Sequence, residues 1–551
     1  MTSISGKRST VMAKKLKNKK LLLLSLASII ILLLVLSGIL YHTVFSNQGA
    51  AQPASVTFTD PETVIIPKPV ECTVNPGSFT LTKKTVICVN GGNDSETEEI
   101  AGIGRYLADI ISPSTGFTVK VKKSSNPKAG SIYLTTQNGD ASLGDEGYHL
   151  EVTKEGAAIS AYTPEGLFRG IQTIRQMLPS EIEKDTQVTD VSWSIACADI
   201  TDYPVYPWRG MMLDVTRHFF SVEDVKRTID LMSQYKMNRF HLHLSDDQGW
   251  RIEIKAWPDL TAIGGSTEVA GGDGGYYTQK EYSEIVKYAQ DRYIMVIPEI
   301  DMPGHMNAAL ASYGELNPDG QKKDPYTKIN VGFSSLMCRS EMTYTFIDDV
   351  IKELAAITPG EYIHIGGDEA DSTSREDYDY FIGRVNGIVA SYGKKAIGWN
   401  PYETSAGTTA DSGLLQFWKT NESDTALDKN MKIIMSPANR AYIDMKYAMS
   451  TKLGLNWAGY ITTKFAYEWD PTDYAPKDNV MGIECCLWTE TVKTMEDIEY
   501  LAYPRLPGHA EIGWTPKELR SWDEYMPRLK NQAKRMEYEG INYYQDKVVD
   551  W

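Results

Sequence analysis

Cysteine is scarce in this chain, and basic residues are outnumbered by acidic ones. The six cysteines among 551 residues show none of the spacings of a zinc site, so the sequence offers no cysteine-built metal centre. Cys72 and Cys88 share one stretch and could pair. Cys197, Cys338 and the neighbours Cys485-Cys486 read as buried small hydrophobes. Lys and Arg number 56 against 72 Asp and Glu, a formal net charge of -16. Phosphate backbones would be repelled, so nucleic acid is not an expected partner. A glycine-rich phosphate loop is also lacking, which leaves a doubly wound nucleotide-binding sheet without its usual support. No metal or organic cofactor is implied.

Apolar residues are not in short supply. They make up 42% of the chain, enough for a sizeable core, and the length leaves room for about two to four domains. Lys7, Arg8, Lys14, Lys15, Lys17, Lys19 and Lys20 form a basic stretch without acids, and residues 21–40 follow as an unbroken uncharged apolar run. About 20 such residues suffice for a membrane-spanning helix, and the preceding bases place the N-terminus in the cytoplasm. The expectation is a cytoplasmic tail over 1–20, a transmembrane signal-anchor over 21–41, a linker over 42–57 and a catalytic portion outside the cell. Gly49-Ala50-Ala51 offers a cleavage site that would instead give a secreted form.

Residues 58–206 mix two patterns. Val64-Ile65-Ile66-Pro67 and Thr85-Val86-Ile87-Cys88 read as strands, 98–111 as a helix, and 147–152 with 157–161 as a hairpin. Residues 164–178 read as an amphipathic helix with Leu167, Ile171, Ile174 and Leu178 on one face. This predicts a small α+β domain in a supporting role. Over 207–551 short apolar runs alternate with helices such as 222–235, 280–290 and 341–356. The runs are 210–214, 240–246, 295–301, 363–369, 396–399, 414–418, 433–436 and 482–488. Continuous apolar strands separated by helices predict an α/β class fold, a (β/α)8 TIM barrel, whose strands are buried on both faces.

In such a barrel the chemistry sits at the C-terminal strand ends. There the sequence places Asp214, Asp246, Glu299, Asp301, Asp368, Glu369, Trp399, Trp418 and Trp488. Carboxylates handle hydroxyls and protons, and indole faces cover the apolar face of a pyranose. In Tyr362-Ile363-His364-Ile365-Gly366-Gly367-Asp368-Glu369 two carboxylates follow a tight turn. Like charges so close push one pKa up, and a carboxylic acid kept protonated near neutral pH is what a glycosidase general acid requires. Taken alone, the run also reads as a plain loop with carboxylates in water.

Four linked runs carry more. Trp208-Arg209-Gly210-Met211-Met212-Leu213-Asp214-Val215-Thr216-Arg217-His218-Phe219, residues 241–247, Ile297-Pro298-Glu299-Ile300-Asp301-Met302-Pro303-Gly304-His305 and residues 364–369 occur in that order. Together they resemble glycoside hydrolase family 20, the β-N-acetylhexosaminidases, over about residues 60–550. The resemblance implies exo-acting release of terminal β-linked GlcNAc or GalNAc from oligosaccharides or glycoconjugates, by a retaining, substrate-assisted route through an oxazolinium. It implies Glu369 as general acid and later base, and Asp368 as acceptor for the acetamido N–H. Tyr442 would hold the acetamido carbonyl, while Trp399, Trp418 and Trp488 would wall the pocket. Arg217 would fork onto the 3- and 4-hydroxyls, with Asp444 and Glu490 on the C4/C6 side. His305 and Asp246 would form a relay that tunes Glu369.

One position departs from the family pattern. Trp399 is followed by Asn400-Pro401 where the family usually carries an acidic pair, which leaves linkage and leaving-group preference open. Also open are a family relative that acts on a disaccharide unit or poly-GlcNAc, and a non-catalytic carbohydrate-binding surface protein.

Overall fold

Residues 71–202 build a seven-stranded sheet in a computed structural model that describes residues 60–419 and 424–551. The strands are β1 (Glu71–Thr80), β2 (Val86–Asn90), β3 (Lys120–Lys123), β4 (Ser131–Thr135), β5 (Tyr148–Thr153), β6 (Gly156–Ala161) and β7 (Ser194–Asp202). Their order across the sheet is β1-β7-β5-β6-β4-β2-β3. Helices α1 (Asp94–Thr115) and α2 (Pro164–Met177) pack on it. The Asn93 side chain caps α1 by accepting Glu96 N–H, and Gly116 closes it at φ 66. The amphipathic pattern of α2 understates its burial, since every residue from Gly166 to Met177 is covered. Its polar side faces protein too: Arg169 Nε donates to Glu146 at 2.9 Å, and Gln176 Nε2 donates to Ile66 O at 2.7 Å.

One strand expected from the sequence fails in this region, and one disulfide it left possible is excluded. Val64-Ile65-Ile66-Pro67 is not a strand. Its backbone is satisfied by side chains instead: Gln176 receives Ile66 N–H at 2.8 Å, Arg528 donates to Ile65 O at 2.8 Å, and Gln532 donates to Val64 O. Buried apolar side chains with no sheet partner gave the false strand signal. Cys72 and Cys88 are both free thiols. They lie on β1 and β2, five ladder steps apart at about 4.8 Å each, far beyond disulfide reach.

The eight remaining principal strands close into a parallel barrel. They are β8 (Trp208–Asp214), β9 (Arg239–His243), β12 (Met295–Glu299), β13 (Tyr362–His364), β14 (Lys395–Trp399), β15 (Gly413–Phe417), β16 (Ile433–Met435) and β17 (Val480–Leu487). Between β9 and β12 a short ribbon pairs β10 (Ser245–Asp246) with β11 (Gly249–Trp250). All eight predicted runs are barrel strands, because segments buried on both faces read as unbroken apolar stretches. Helices Val222–Gln234 and Gln279–Gln290 start with capping boxes, Ser221 with Asp224 and Thr278 with Glu281. One end of the barrel interior is plugged by Trp208, Ile297, Tyr362, Ile397, Leu414 and Ile434.

The expected transmembrane segment lies outside the described residues. Among the described residues no helix is long and apolar enough to cross a membrane. The described residues thus give no support to the expected membrane anchor, to the membrane as a partner or to an extracellular barrel.

Candidate active site

The chain leaves β13 at His364 and turns on Gly366 (φ 67) and Gly367 (φ 102). A Cβ on Gly366 would stand 1.7 Å from Asp301 Oδ1, so only glycine admits this approach. The Asp301 carboxyl accepts Gly367 N–H at 3.0 Å, and the Tyr378 hydroxyl donates to Gly367 O at 2.7 Å. Tied from both sides, the turn delivers Asp368 and Glu369 to a cavity of about 460 Å³. Glu369 itself holds left-handed backbone, φ 44, uncommon for a residue with a side chain.

A chain of charged groups runs from Glu369 into the barrel wall. His305 Nε2 stands 3.4 Å from Glu369 Oε2, and its Nδ1 lies 3.2 Å from Asp246 Oδ1. Asp246 Oδ2 receives Arg217 Nη2 at 2.9 Å and lies 3.0 Å from His243 Nε2. Arg217 is also 3.4 Å from Asp214, whose Oδ1 accepts the N–H groups of Thr216 and Arg217 at 2.8 and 3.2 Å. An aspartate three residues before the arginine thus folds the segment after β8 back on itself. The Arg217 guanidinium lies 4.8 Å from the Trp488 ring, and its Nε has no partner.

Burial and charge pull these groups apart in pKa. Burial raises Asp368 to about 6, helped by the charges of Glu369 and Glu299 and opposed by His305. The raised carboxyl of the pair is therefore Asp368, expected to accept the acetamido N–H, rather than the residue expected as general acid, and burial more than the adjacent like charge lifts it. Asp301 is pushed well up by burial and by Asp368. Burial opposes charge on His305, but Asp246 and then Asp301 outweigh it and push its pKa well up. Burial likewise works against Asp246, yet Arg217 and His305 keep it well below the usual carboxylate range.

Aromatic rings line the cavity. Trp418 and Tyr442 stand 6.5 Å apart at 20°, Trp457 meets both edge-on at 6.1 and 5.7 Å, and Tyr442 lies 6.1 Å from Trp488. Trp399 is fully buried, 5.9 Å from Trp488, with its indole N–H donating to Glu299 at 2.7 Å. It backs the wall and is not among the lining side chains. Glu490 lines the cavity, while Asp444 is buried with neither carboxylate oxygen partnered. Burial and then the Glu490 charge push Asp444 well up.

Of the eleven residues expected from sequence, the cavity is lined by Arg217, His305, Asp368, Glu369, Trp418, Tyr442, Trp488 and Glu490. Asp246, Trp399 and Asp444 stand behind them. The cavity also takes in Asp301, Ile329, Val331, Leu455 and Trp457, none of which the sequence had given an individual role. Asp301 was legible as a strand-end acid. Trp457 was not, because it lies on a loop more than twenty residues past the end of β16.

Glu299 is a hub beneath the site. Its buried carboxylate meets His241 at 3.0 Å, His243, and His364 at 2.9 Å, besides Trp399. Burial works against its charge, but the histidines hold it well below the usual range. Four sets of His and carboxylate atoms here lie within 4.8 Å of one another, among them His241–Glu299–His364 and Asp301–His305–Asp368. In the first, the ring and carboxylate atoms already pair with one another, so lone pairs that a metal would need are engaged.

The description "Glycosyl hydrolase family 20, catalytic domain" matches residues 206–517, and "Glycosyl hydrolase family 20, domain 2" matches residues 62–203. A beta-N-acetylhexosaminidase of Cellulomonas fimi is 37% identical over 499 residues, covering 89% of this chain and 98% of that protein. The solved GH20 beta-N-acetylhexosaminidase from Streptomyces coelicolor A3(2) is similar at TM-score 0.85 and 45% identity, over 90% of this chain and 100% of the other. The Streptomyces plicatus N-acetyl-beta-hexosaminidase, solved in complex with Thio-NAglucal, gives TM-score 0.86 at 46% identity, over 90% and 99%.

Proposed function

The chain belongs to glycosyl hydrolase family 20, and from that premise we propose that it is an exo-acting β-N-acetylhexosaminidase that releases terminal β-linked GlcNAc or GalNAc. The observation that carries this reading is one cavity that gathers Asp368, Glu369, Arg217, Tyr442, Trp418, Trp488 and Glu490. It combines adjacent carboxylates, a forked cation and aromatic walls, the groups that a polar ring with one apolar face requires.

In the first step the substrate's acetamido oxygen attacks the anomeric carbon while Glu369 gives its proton to the departing glycosidic oxygen. The carbon–oxygen bond breaks and an oxazolinium forms. Asp368, beside Glu369, accepts the acetamido N–H and offsets the positive charge that grows there. The Tyr442 hydroxyl donates to the acetamido oxygen and orients it for attack. Glu369, now a carboxylate, takes a proton from water as that water opens the ring with net retention. His305 and Asp246 hold the Glu369 carboxyl in place throughout.

Recognition of the remaining hydroxyls falls to groups that other side chains leave unpaired. Arg217 Nε and both Asp444 oxygens are buried without a hydrogen-bond partner, a state that favours a ligand able to pair them. The reading is tested by offering aryl β-GlcNAc, aryl β-GalNAc, chitobiose, lacto-N-biosides and poly-GlcNAc side by side. Free monosaccharide from the aryl glycosides and chitobiose is expected. Release of disaccharide units alone would move the assignment to the longer-subsite relatives. A thiazoline analogue of GlcNAc should inhibit far better than GlcNAc itself, and equal inhibition would remove acetamido participation.

A further inference from the structure

The position where the sequence leaves its family pattern has a definite task in the fold. Asn400 is fully buried just past the end of β14, and Trp418 follows the neighbouring strand β15. Asn400 Oδ1 accepts the backbone N–H of Trp418 at 3.2 Å. The main-chain carbonyl of Asn400 accepts the Trp418 indole N–H at 3.0 Å. Its Nδ2 donates to Glu403 Oε1 at 2.9 Å, and its own N–H donates to Gln416 O at 3.2 Å. One residue therefore holds Trp418 by both backbone and ring. Trp418 is only partly covered, so these bonds do much to fix where its ring stands.

An amide meets both side-chain bonds at once. A carboxylate at this place could accept the Trp418 N–H but would have no hydrogen for Glu403. Two buried carboxylate oxygens would then face each other across the 2.9 Å now bridged by Nδ2. Asparagine accepts on one side and donates on the other without a charge.

We infer that Asn400 is the positioning residue for Trp418 and thereby sets one aromatic wall of the pocket. This rests on the reading of that cavity as the sugar site. A ring wall touches the sugar in the ground state and in the transition state alike. Its displacement therefore raises KM and leaves kcat nearly unchanged.

The test is a double-mutant cycle of Asn400→Ala with Trp418→Ala, read on an aryl β-GlcNAc. Asn400→Ala alone should raise KM roughly three- to tenfold, the worth of one hydrogen bond, with kcat within about twofold of wild type. In the Trp418→Ala background the same change should add less than about twofold to KM, because the ring it positions is gone. An equal KM increase in both backgrounds, or a loss confined to kcat, overturns the inference. If Asn400→Ala does not fold, as judged by circular dichroism, the near-isosteric Asn400→Asp enters the same cycle and should raise KM by opposing Glu403. A wild-type chain inert towards aryl β-GlcNAc and β-GalNAc defeats the functional reading and this inference with it. An active wild type with an additive cycle defeats this inference alone.

Discussion

His305 and Glu369 meet at 3.4 Å between Nε2 and Oε2, and both hold left-handed backbone, at φ 54 and 44. Each such residue with a side chain stores on the order of 1–3 kcal/mol of strain, and strain of this kind concentrates at functional sites. Two such residues in contact suggest that the meeting itself is what the fold preserves. Asparagine tolerates the left-handed region, so His305→Asn separates the backbone role from the charge. It should melt within a few degrees of wild type yet lose roughly 100-fold in kcat, with KM little changed. Wild-type kcat in a folded His305→Asn protein would detach this histidine from the chemistry.

Glu369→Gln keeps the shape of the side chain and removes the proton it transfers. The expected loss in kcat is about 10² to 10⁴, while calorimetry should still detect GlcNAc binding through Arg217 and the aromatic walls. Near-full turnover would rule out Glu369 as the general acid.

What the sequence disclosed follows from how each feature is encoded. The barrel strands were legible because double-sided burial writes continuous apolar runs, and the site acids were legible because they end those runs. β1 was missed because it is mostly exposed and polar, with an irregular register between Val74 and Ser78, so neither alternation nor an apolar run marks it. Trp457 was missed because a loop position carries no periodic signal, although more than half of its surface is exposed at the cavity mouth. Trp399 was expected to wall the pocket but stands behind it, because its bond to Glu299 depends on β12 and β14 lying one strand apart in a closed barrel. No local pattern states that.

Gly366 admits a direct test of how the pair is held. Alanine would place Cβ against the Asp301 carboxylate in a backbone region, φ 67, that alanine adopts only under strain. The turn must then shift, or Asp301 must give up Gly367 N–H. Gly366→Ala should lower stability by about 2 kcal/mol or more, and kcat should fall by at least about 100-fold as both carboxylates move. Kinetics on the folded fraction, paired with urea unfolding, separates the two effects. Unimpaired kcat would mean that the turn does not set the geometry of Asp368 and Glu369.

Asp368 ties the chemistry to stability through its proton. Burial, with the charges of Glu369 and Glu299, lifts its pKa to about 6, while an unfolded aspartate titrates near about 3.9. Between those values the folded protein binds the proton more tightly than the unfolded chain does. The contribution of this group to stability is therefore fully present below about pH 4, is lost as pH rises to about 6, and stays absent above. A rise of that size is worth roughly 3 kcal/mol at most. Asp368→Asn abolishes the titration and leaves the volume nearly unchanged. At pH 7 the variant should be more stable than wild type by up to about that amount, and the gap should close as pH falls towards about 4. The same variant should be nearly inactive, since a neutral amide cannot offset the charge on the acetamido nitrogen. In wild type kcat/KM should fall below about pH 6 as Asp368 takes up its proton. Urea unfolding of both proteins from about pH 4 to 7, set beside the pH–rate profile, checks the sign. A stability gap that did not vary over that range would show that Asp368 does not take up its proton in this way.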